Sequence, residues 1–388
     1  MNPLLSVVIP TKDRYSTLFS VLNALLKYID GSDYEIVVQD NSSDNIIAQD
    51  YMQNINNSRI KYYYSSLHLS VSDNSNLAIS NSSGEYVIFI GDDDLVSPYI
   101  LRIVEMMKRE NLDCLTYNRG NYFWSDLSFA KEYAFNYPSS LQYPKHLSIT
   151  PKILNSDIEL QKVLNKGGIF IDNLPCLYHG IVKKAIMGNI KEKFGSYVPG
   201  SSPDMAIACA LSLVLKEYYY INYPVSITGA SKKSAAGLGV KDAHIARIED
   251  VKWLSKNISE NWDPKIPKIW TGFTIYAQTI YEVLSIFGNG GEINYKELYS
   301  KMYVYNPVTH DLIIPIILRQ CENKIECILL FAGLYLKLLI KKIIWRCPSF
   351  VLNILIFLRG DFKVKNQIRR INNVDACMQY LASNTKIN

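Results

Sequence analysis

The first 120 residues alternate between short apolar runs and polar turns. Residues 4–9 form an apolar run rich in β-branched side chains that stops at Pro10, as a buried parallel strand does. From Leu18 to Leu26 the apolar residues recur at helical spacing. The alternation continues with strand-like runs at 35–38, 61–64, 86–90 and 114–117 and helical patterns at 73–82 and 99–109. It predicts an α/β fold with a mainly parallel, Rossmann-like sheet flanked by helices.

Beyond residue 120 the pattern is less regular. Residues 120–165 are aromatic and predict no definite element, whereas Ser202 and Pro203 start a clear helical run to Leu215. Residues 240–320 carry mixed helical signals. We therefore expect an α/β domain at 1–235, a helical extension at 236–320 and a basic, amphipathic C-terminal region at 321–388.

Three of the predicted strands end in distinctive polar segments. These segments are 10–14 (PTKDR), 39–44 (QDNSSD) and 92–94 (DDD). In an open parallel sheet, ligands bind at the carboxyl ends of the strands, so we expect the three segments to share one site.

Asp92, Asp93 and Asp94 are the most distinctive of these residues. Three adjacent carboxylates at the end of a buried strand repel one another unless a cation neutralises them. A hard divalent ion with oxygen ligands would do so and would also bridge a diphosphate. The alternative is a solvated acidic turn that caps the next helix, with Pro98 at its first position. The three residues alone leave both interpretations open.

The three segments, in this order, resemble those of family 2 glycosyltransferases, which have the GT-A fold. SVVIPTKDR resembles the opening strand and turn of that family, VVQDNSSD resembles its VVDDGSTD, and NLAISNSSGEYVIFIGDDD resembles its N-x-G-x-x-x-A-x-GEY-hydrophobic-DDD. The chain departs from the pattern at Gln39, where the family often has an acid, and at Gly91, which replaces the first of four acids. The D-x-D pair of Asp92 and Asp94 is kept.

The resemblance implies donor-binding roles for the matching positions. It places Pro10, Thr11 and Arg14 in the nucleotide pocket, Asp40 on the base, Asp92 on the ribose, Asp93 in the same donor-binding turn, and Asp94 on Mn²⁺ or Mg²⁺ at the donor diphosphate. For Asp40 the alternative is a structural role, because QDNSSDN would form an Asx turn in any protein.

The same resemblance implies an inverting enzyme, which needs a general base for the acceptor hydroxyl. The best candidate is Asp204 in GSSPDMAIA, at the start of a predicted helix. An ordinary helix start has the same pattern, with Ser202 as N-cap, Pro203 next and Asp204 favoured by the helix dipole. The two interpretations are compatible.

The segment ITGASKKSAAGLG holds Lys232 and Lys233 in a loop rich in glycine and serine. Such a loop would close over the donor and neutralise the leaving diphosphate, or it is a flexible basic surface loop. His244 follows as a candidate metal ligand, and His179, in LYHG, is a candidate for the acceptor side. A lone histidine is more often not a ligand, so both remain hypotheses.

The C-terminal region concentrates the positive charge. The net charge of the chain is +5, yet residues 319–370 hold eleven Lys and Arg against three Asp and Glu. Two charge-free apolar runs, 327–336 and 347–358, are too short to cross a bilayer. We expect a helix that lies on the membrane surface with its basic groups on anionic headgroups. A helical subdomain packed on the core or on a second subunit is the alternative.

These features predict an inverting, metal-dependent glycosyltransferase that uses a nucleotide-sugar donor and a glycan or polyprenyl-linked acceptor in surface polysaccharide biosynthesis. We expect it in the cytoplasm, peripherally on the inner face of the plasma membrane, without a nucleic-acid partner; an oligomer is compatible with the sequence. One alternative is a nucleotidyltransferase, although the turn PTKDRYST lacks the glycine of a phosphate loop. The other is a non-catalytic sugar- or lipid-binding protein that kept the fold.

Overall fold

The computed structural model describes residues 2–127, 137–234, 245–255, 257–288, 290–320, 323–346 and 365–387. Its strands are β1 (Leu5–Thr11), β2 (Tyr34–Asp40), β3 (Ile60–Tyr64), β4 (Tyr86–Phe89), β5 (Leu95–Val96), β6 (Cys114–Tyr117), β7 (Gly120–Phe123), β8 (Ser140–Pro144), β9 (Ser148–Asn155), β10 (Ile181–Lys183), β11 (Glu217–Asn222), β12 (Ser226–Ala230) and β13 (Lys365–Arg369). Its helices are α1 (Tyr15–Tyr28), α2 (Ile46–Ile55), α3 (Val71–Ser80), α4 (Ile100–Arg109), α5 (Ser156–Asn165), α6 (Lys184–Phe194), α7 (Pro203–Val214), α8 (Gly272–Phe287), α9 (Tyr295–Tyr305), α10 (His310–Gln320), α11 (Lys324–Arg346) and α12 (Val374–Asn384).

An eight-stranded sheet forms the centre, in the order β3-β2-β1-β4-β10-β6-β11-β9. β1 pairs in parallel with β2 and β4, and β2 pairs in parallel with β3. β1 and β2 are buried along almost their whole length, as strands between two helical layers must be. The predicted α/β fold with a mainly parallel sheet is confirmed, with β9 and β10 added as antiparallel strands.

Helices cover both faces of this sheet, each over its own core. Helices α1, α4 and α12 pack on one face. Helices α3, α5, α6, α7, α8 and α9 pack on the other, where the fully buried side chains include Ile207 of α7, Ile280 of α8 and Leu298 of α9. Because α8 and α9 belong to the expected extension at 236–320, that segment shares the core of the α/β domain and does not fold apart from it.

A second sheet has five strands in the order β13-β8-β7-β12-β5. β12 pairs antiparallel with β5, the short strand that follows the three aspartates, through Ser226 opposite Val96 and Ile227 opposite Leu95. This pairing brings the end of β12 against Asp94. The irregular middle of the sequence supplies β7 and β8, which no alternation of apolar and polar residues had predicted.

The last residues of the chain return to the α/β domain. β13 pairs antiparallel with β8, and α12 buries its apolar face against the core that includes α1. The hydroxyl of Tyr223 donates to the carbonyl oxygen of Thr385 at 2.8 Å. Residues 365–387, the last part of the expected region at 321–388, thus pack on the α/β domain, because their apolar side chains have a core to join.

Candidate active site

The three polar strand ends lie at one edge of the central sheet. In the parallel pairing of β1 and β2, Thr11 stands opposite Asp40, and β4 flanks β1 in parallel on its other side. The turns that follow these strands, 11–14, 40–44 and 91–94, therefore converge, as expected for the carboxyl ends of parallel strands.

Pro10 and Gln39 lie opposite each other inside the sheet, just before the edge. Gln39, which stands where the family often has an acid, is 2 % exposed, and its Oε1 accepts from Asn81 Nδ2 at 2.9 Å. An amide fits this buried position because it binds Asn81 without carrying a charge. Both residues shape the strand ends from which the site is built.

Arg14 links two of the three aspartates. Its Nη1 lies 3.0 Å from Asp92 Oδ1, and its Nη2 lies 2.9 Å from Asp93 Oδ1. Thr11 Oγ1 donates to Asp92 Oδ2 at 2.6 Å. Ser231 donates both its backbone N–H (3.1 Å) and its hydroxyl (2.7 Å) to Asp93 Oδ2. The cluster is thus held by the end of β1, by the turn after it and by the segment after β12.

Asp94 has hydrogen-bond partners on both carboxylate oxygens. Its Oδ1 accepts from the Gly229 N–H at 2.6 Å, and its Oδ2 accepts from the Gly91 N–H at 2.6 Å and from the Tyr178 hydroxyl at 3.1 Å. His179 Nε2 lies 3.2 Å from the same Oδ2. The orientation of this carboxylate is therefore fixed by β12 and by the segment before β10 as well as by its own turn.

Two glycines allow the chain to pass this closely. A Cβ on Gly229 would lie 1.8 Å from the carbonyl oxygen of Asp93. A Cβ on Gly91 would lie 3.0 Å from Asp94 Oδ2 and 3.1 Å from the Tyr178 hydroxyl. The departure from the family's four acids at Gly91 therefore has a local reason, because a side chain there would crowd the Asp94 carboxylate.

His179, the candidate for the acceptor side, lies against Asp94. Its ring is 2 % exposed, and its Nδ1 lies 2.8 Å from the Ser226 hydroxyl while Nε2 faces Asp94. No local pattern predicts this contact, because tertiary structure alone brings the segment before β10 to the end of β4. His244, the histidine proposed as a metal ligand, lies outside the described residues.

The three carboxyl groups have unequal pKa values. Burial raises the pKa of Asp92, and the Arg14 guanidinium opposes this only in part. Burial and the neighbouring charge of Asp94 raise the pKa of Asp93. Burial alone would also raise the pKa of Asp94, but the His179 ring and two backbone N–H groups outweigh it and lower that pKa. With one guanidinium facing three buried carboxyl groups, the cluster favours a further cation.

The donor atoms suit a hard divalent cation that arrives with a ligand. Within the described ranges, no three His, Cys, Asp or Glu side chains are grouped so as to hold a metal ion. Asp92 Oδ1 is buried with an ion pair to Arg14 but no hydrogen bond, and Asp94 Oδ1 accepts a single bond. Mg²⁺ and Mn²⁺ bind through one or two carboxylates when phosphate and water oxygens complete the shell. Asp94 thus fits an ion that is shared with a diphosphate.

Asp40 is fully buried beneath two tyrosines. The hydroxyls of Tyr15 and Tyr62 both donate to its Oδ2 at 2.7 Å, and the Ser42 N–H donates to its Oδ1 at 2.8 Å. The bond from Ser42 is the one that the Asx-turn interpretation requires. A nucleobase would reach Asp40 only by sharing or replacing these partners, so Tyr15 and Tyr62 join the candidate base pocket, although no sequence pattern singled them out.

Asp204 lies in the first turn of α7. Its Oδ1 accepts from the Ser202 hydroxyl at 2.6 Å and from the Met205 N–H at 2.9 Å, and its Oδ2 accepts from the Tyr276 hydroxyl. Ser202 stands at the N-cap position, but its hydroxyl bonds Asp204 and makes no capping bond to the backbone. The helix therefore starts as expected, but the Ser202 hydroxyl bonds the Asp204 carboxylate and not the helix backbone.

Tyr178 lies against the acidic cluster. Its hydroxyl donates to Asp94 Oδ2. Burial raises the pKa of this hydroxyl well above its ordinary value, and the charges of Asp94, Asp93 and Asp204 raise it further. The hydroxyl therefore keeps its proton and stays a donor to the acidic cluster.

The two lysines of the expected closing loop are exposed. The Lys232 N–H donates to both carboxylate oxygens of Asp126 at 3.2 Å. Ser231 is the residue of this segment that reaches the acidic cluster, directly before Lys232 and Lys233. The rest of the loop, 235–244, lies outside the described residues.

Comparison with known proteins supports the family resemblance. The sequence model of glycosyl transferase family 2 matches residues 6–169, which is less than half of the chain but includes all three strand-end segments. A protein of Escherichia coli (strain K12) described as a colanic acid biosynthesis glycosyl transferase, WcaA, is 29 % identical over 110 residues. These residues are 28 % of this chain and 39 % of that protein, so the chain spans well under half the length of this relative.

Solved structures with a similar fold are more distant. S. aureus TarS 1-349 in complex with UDP-GlcNAc has a TM-score of 0.42 and 15 % identity, over 61 % of this chain and 60 % of that chain. Mannosyltransferase PcManGT from Pyrobaculum calidifontis in complex with GDP-Man and Mn²⁺ has a TM-score of 0.43 and 12 % identity, over 87 % of this chain and 81 % of that chain. At these scores the likeness says nothing about a shared substrate. Residues 6–169, with their three strand-end segments, are thus similar to glycosyl transferase family 2.

Proposed function

We propose that this chain is an inverting, metal-dependent glycosyltransferase. It moves a sugar from a nucleoside-diphosphate sugar to a hydroxyl of a glycan or polyprenyl-linked acceptor in surface polysaccharide biosynthesis. One observation carries the proposal: the turns after β1, β2 and β4 converge, and they hold three buried carboxyl groups with the single guanidinium of Arg14.

The donor edge, which we define as residues 11–14, 40–44 and 91–94, binds the nucleotide. Asp40 and its tyrosines receive the base, and Asp92 binds the ribose. Asp94 would hold Mn²⁺ or Mg²⁺, which when bound supplies positive charge to the departing diphosphate. The segment of Lys232 and Lys233, anchored through Ser231, closes over the donor.

Asp204 carries out the proton transfer. Its carboxylate takes the proton of the acceptor hydroxyl while that oxygen attacks the anomeric carbon of the donor sugar. The bond between the anomeric carbon and the phosphate oxygen breaks, and the nucleoside diphosphate leaves with the electron pair. Attack from the face opposite the leaving group inverts the anomeric configuration.

Thermal stabilisation by nucleoside diphosphates tests the donor half. With Mn²⁺ present, either UDP or GDP should stabilise the protein, by about 2.7 kcal/mol at a concentration 100 times its Kd. Asp94→Asn should abolish this stabilisation, whereas Asp50→Asn, the same change on the exposed side of α2, should retain it. If neither nucleotide stabilises the protein with Mn²⁺ or Mg²⁺, the proposal fails.

Membrane association is a further part of the proposal, and α11 carries it. Ile325, Ile328, Leu329, Leu336 and Leu339 form one exposed apolar stripe along this helix. The opposite side of α11 is buried against the core through Leu334, which is 2 % exposed. None of the described helices has the length and hydropathy that a membrane crossing requires. A stripe of this kind beside basic residues suits the surface of an anionic bilayer, where a lipid-linked acceptor would lie.

Vesicle flotation tests this surface. Replacing Ile328 and Leu329 together by Asp should reduce flotation with vesicles of phosphatidylglycerol and phosphatidylcholine. The same replacement of Ile46 and Ile47, which are about as exposed on α2, is the matched control and should leave flotation unchanged. Equal flotation of both double variants would contradict a docking role for α11.

A further inference from the structure

Helix α8 lies beyond the segment that matches the family, yet it holds the turn that carries Asp204. Three of its side chains, Tyr276, Thr279 and Glu282, follow at three-residue intervals and contact this turn. We propose that α8 positions Asp204 for proton transfer, with Tyr276 as the positioning residue that selects where the carboxylate receives the acceptor hydroxyl. This inference rests on the proposed function, in which Asp204 is the general base.

The turn before α7 is bonded to α8 at consecutive residues. The Ser201 N–H donates to Glu282 Oε2 at 2.7 Å, and the Ser201 hydroxyl donates to Glu282 Oε1 at 2.8 Å. The Ser202 N–H donates to Thr279 Oγ1 at 3.0 Å. Gly200 packs so closely that a Cβ on it would lie 2.9 Å from Thr279 Cγ2. The backbone of this turn therefore has little freedom to move relative to α8.

The same turn is also bonded to α3. Ser72 Oγ, in the first turn of α3, donates to the carbonyl oxygens of Gly200 (2.7 Å) and Ser201 (3.1 Å). Helix α3 packs on β1 and β2, the strands that end at the donor edge. The turn thus lies between α3 and α8, so α8 sets the place of Asp204 relative to the donor.

The hydrogen bonds of Asp204 leave one position for a substrate. Each carboxylate oxygen accepts about two hydrogen bonds. Asp204 Oδ1 already accepts from the Ser202 hydroxyl and the Met205 N–H, while Oδ2 accepts from the Tyr276 hydroxyl. Among the described residues, the unused lone pair is therefore on Oδ2, next to Tyr276. An acceptor hydroxyl would be received there, and Tyr276 fixes its direction.

A tyrosine suits this position because it orients the carboxylate without neutralising it. Burial raises the pKa of the Tyr276 hydroxyl well above its ordinary value, and the charge of Asp204 raises it further, so the hydroxyl keeps its proton. A lysine or arginine here would stabilise the carboxylate ion more strongly and make it a weaker base.

The test is Tyr276→Phe, which removes one hydroxyl. The assay measures nucleoside diphosphate released from UDP-GlcNAc, UDP-glucose, UDP-galactose and GDP-mannose with Mn²⁺, with water and then octyl glycosides as acceptors. We expect kcat to fall about 10- to 100-fold, as loss of one hydrogen bond to a charged group implies. The KM for the donor and the stabilisation by UDP or GDP should not change, because the donor binds at the ends of β1, β2 and β4. Tyr281→Phe, the same change elsewhere on α8, should keep the wild-type kcat.

Thr279 provides an independent pair of variants. Thr279→Val removes the oxygen that accepts from the Ser202 N–H and should lower kcat, while Thr279→Ser keeps that oxygen and should restore it. If Thr279 had only a structural role, Thr279→Val would lower the melting temperature but would not lower kcat at an unchanged KM for the donor.

Each result decides between the inference and the function on which it rests. Wild-type kcat in Tyr276→Phe, beside an inactive Asp204→Asn, would overturn the inference and leave the proposed function standing. Wild-type kcat in Asp204→Asn would overturn both. No release from any of the four donors by the wild-type protein would overturn the proposed function.

Discussion

The donor edge and the first turn of α7, which carries Asp204, hold their carboxylates in different ways. At the donor edge three buried carboxyl groups face one guanidinium, and burial raises the pKa of two of them. In the first turn of α7 a single carboxylate accepts from two hydroxyls and one N–H. The first region includes a charged partner, Arg14, whereas the hydrogen-bond partners of Asp204 among the described residues are all neutral.

The contrast agrees with the role that the proposed function gives to each region. A diphosphate and its cation bring charges into the site, so the donor edge needs charges that are already fixed in place. A general base needs affinity for a proton, which a neighbouring cation would reduce. Neutral hydroxyls orient Asp204 without placing a cation beside it. The two regions should therefore respond differently when a carboxylate or its partner is replaced.

The largest effect should come from Asp204→Asn. An amide cannot accept the proton of the acceptor hydroxyl, so we expect kcat to fall by about 10²- to 10⁴-fold. Stabilisation by UDP or GDP with Mn²⁺ should stay at its wild-type value, because the donor edge is intact. Release of nucleoside diphosphate and thermal unfolding measure the two effects. Loss of nucleotide binding in this variant would show that the two regions are not separable.

His179→Leu should act on the donor edge instead. It leaves the Ser226 hydroxyl and one oxygen of Asp94 without their ring partner, so the free energy of unfolding should fall by about 1–3 kcal/mol. The Mn²⁺ concentration needed for stabilisation by UDP or GDP should rise. Denaturant unfolding and metal titration measure these changes.

His179→Asn is the matched comparison at this position. The backbone of His179 has φ 57°, a left-handed conformation that asparagine tolerates, and the amide keeps a hydrogen-bonding group near Asp94. It should therefore lose less stability than His179→Leu. Equal losses in the two variants would mean that the ring contact with Asp94 contributes little.

The two regions also differ in how far the sequence predicts them. The donor edge was predictable because its residues follow directly after apolar strands, and the parallel sheet brings strand ends together. Asp204 was placed correctly at a helix start, but its partner Tyr276 lies 72 residues further on, and no local pattern links the two. The contact between His179 and Asp94 likewise depends on tertiary structure, and no local pattern predicts it.

The second sheet and the return of the C-terminus escaped prediction for a related reason. β7 and β8 come from an aromatic stretch without clear alternation, and β13 pairs with β8 across the whole intervening chain. Helix α12 follows a strongly apolar segment, so its own apolar face looked like part of a membrane surface. The tertiary structure shows that this face of α12 is buried, because it packs in one core with α1 and α4.

The smallest effect should come from a buried charge on the edge of the sheet opposite the site. Lys184 Nζ, at the start of α6, donates to the Ile79 carbonyl oxygen at 2.5 Å and to the Ser82 hydroxyl at 2.7 Å, and burial lowers its pKa to about 8. Below pH 8 the folded and unfolded states both carry this proton, and burying the charge costs stability. Between pH 8 and 10.5 the unfolded state binds more protons, so the folded state gains stability as the pH rises.

The gain from pH 7.5 to 9.5 should be about 1 kcal/mol, because solvent reaches part of the ammonium group. Lys184→Met should lose this pH dependence of unfolding, measured in denaturant at both pH values, while kcat and nucleotide binding stay unchanged. Altered nucleotide binding in this variant would mean that the Lys184 charge is coupled to the donor edge. The comparison of the two regions would then have to include Lys184.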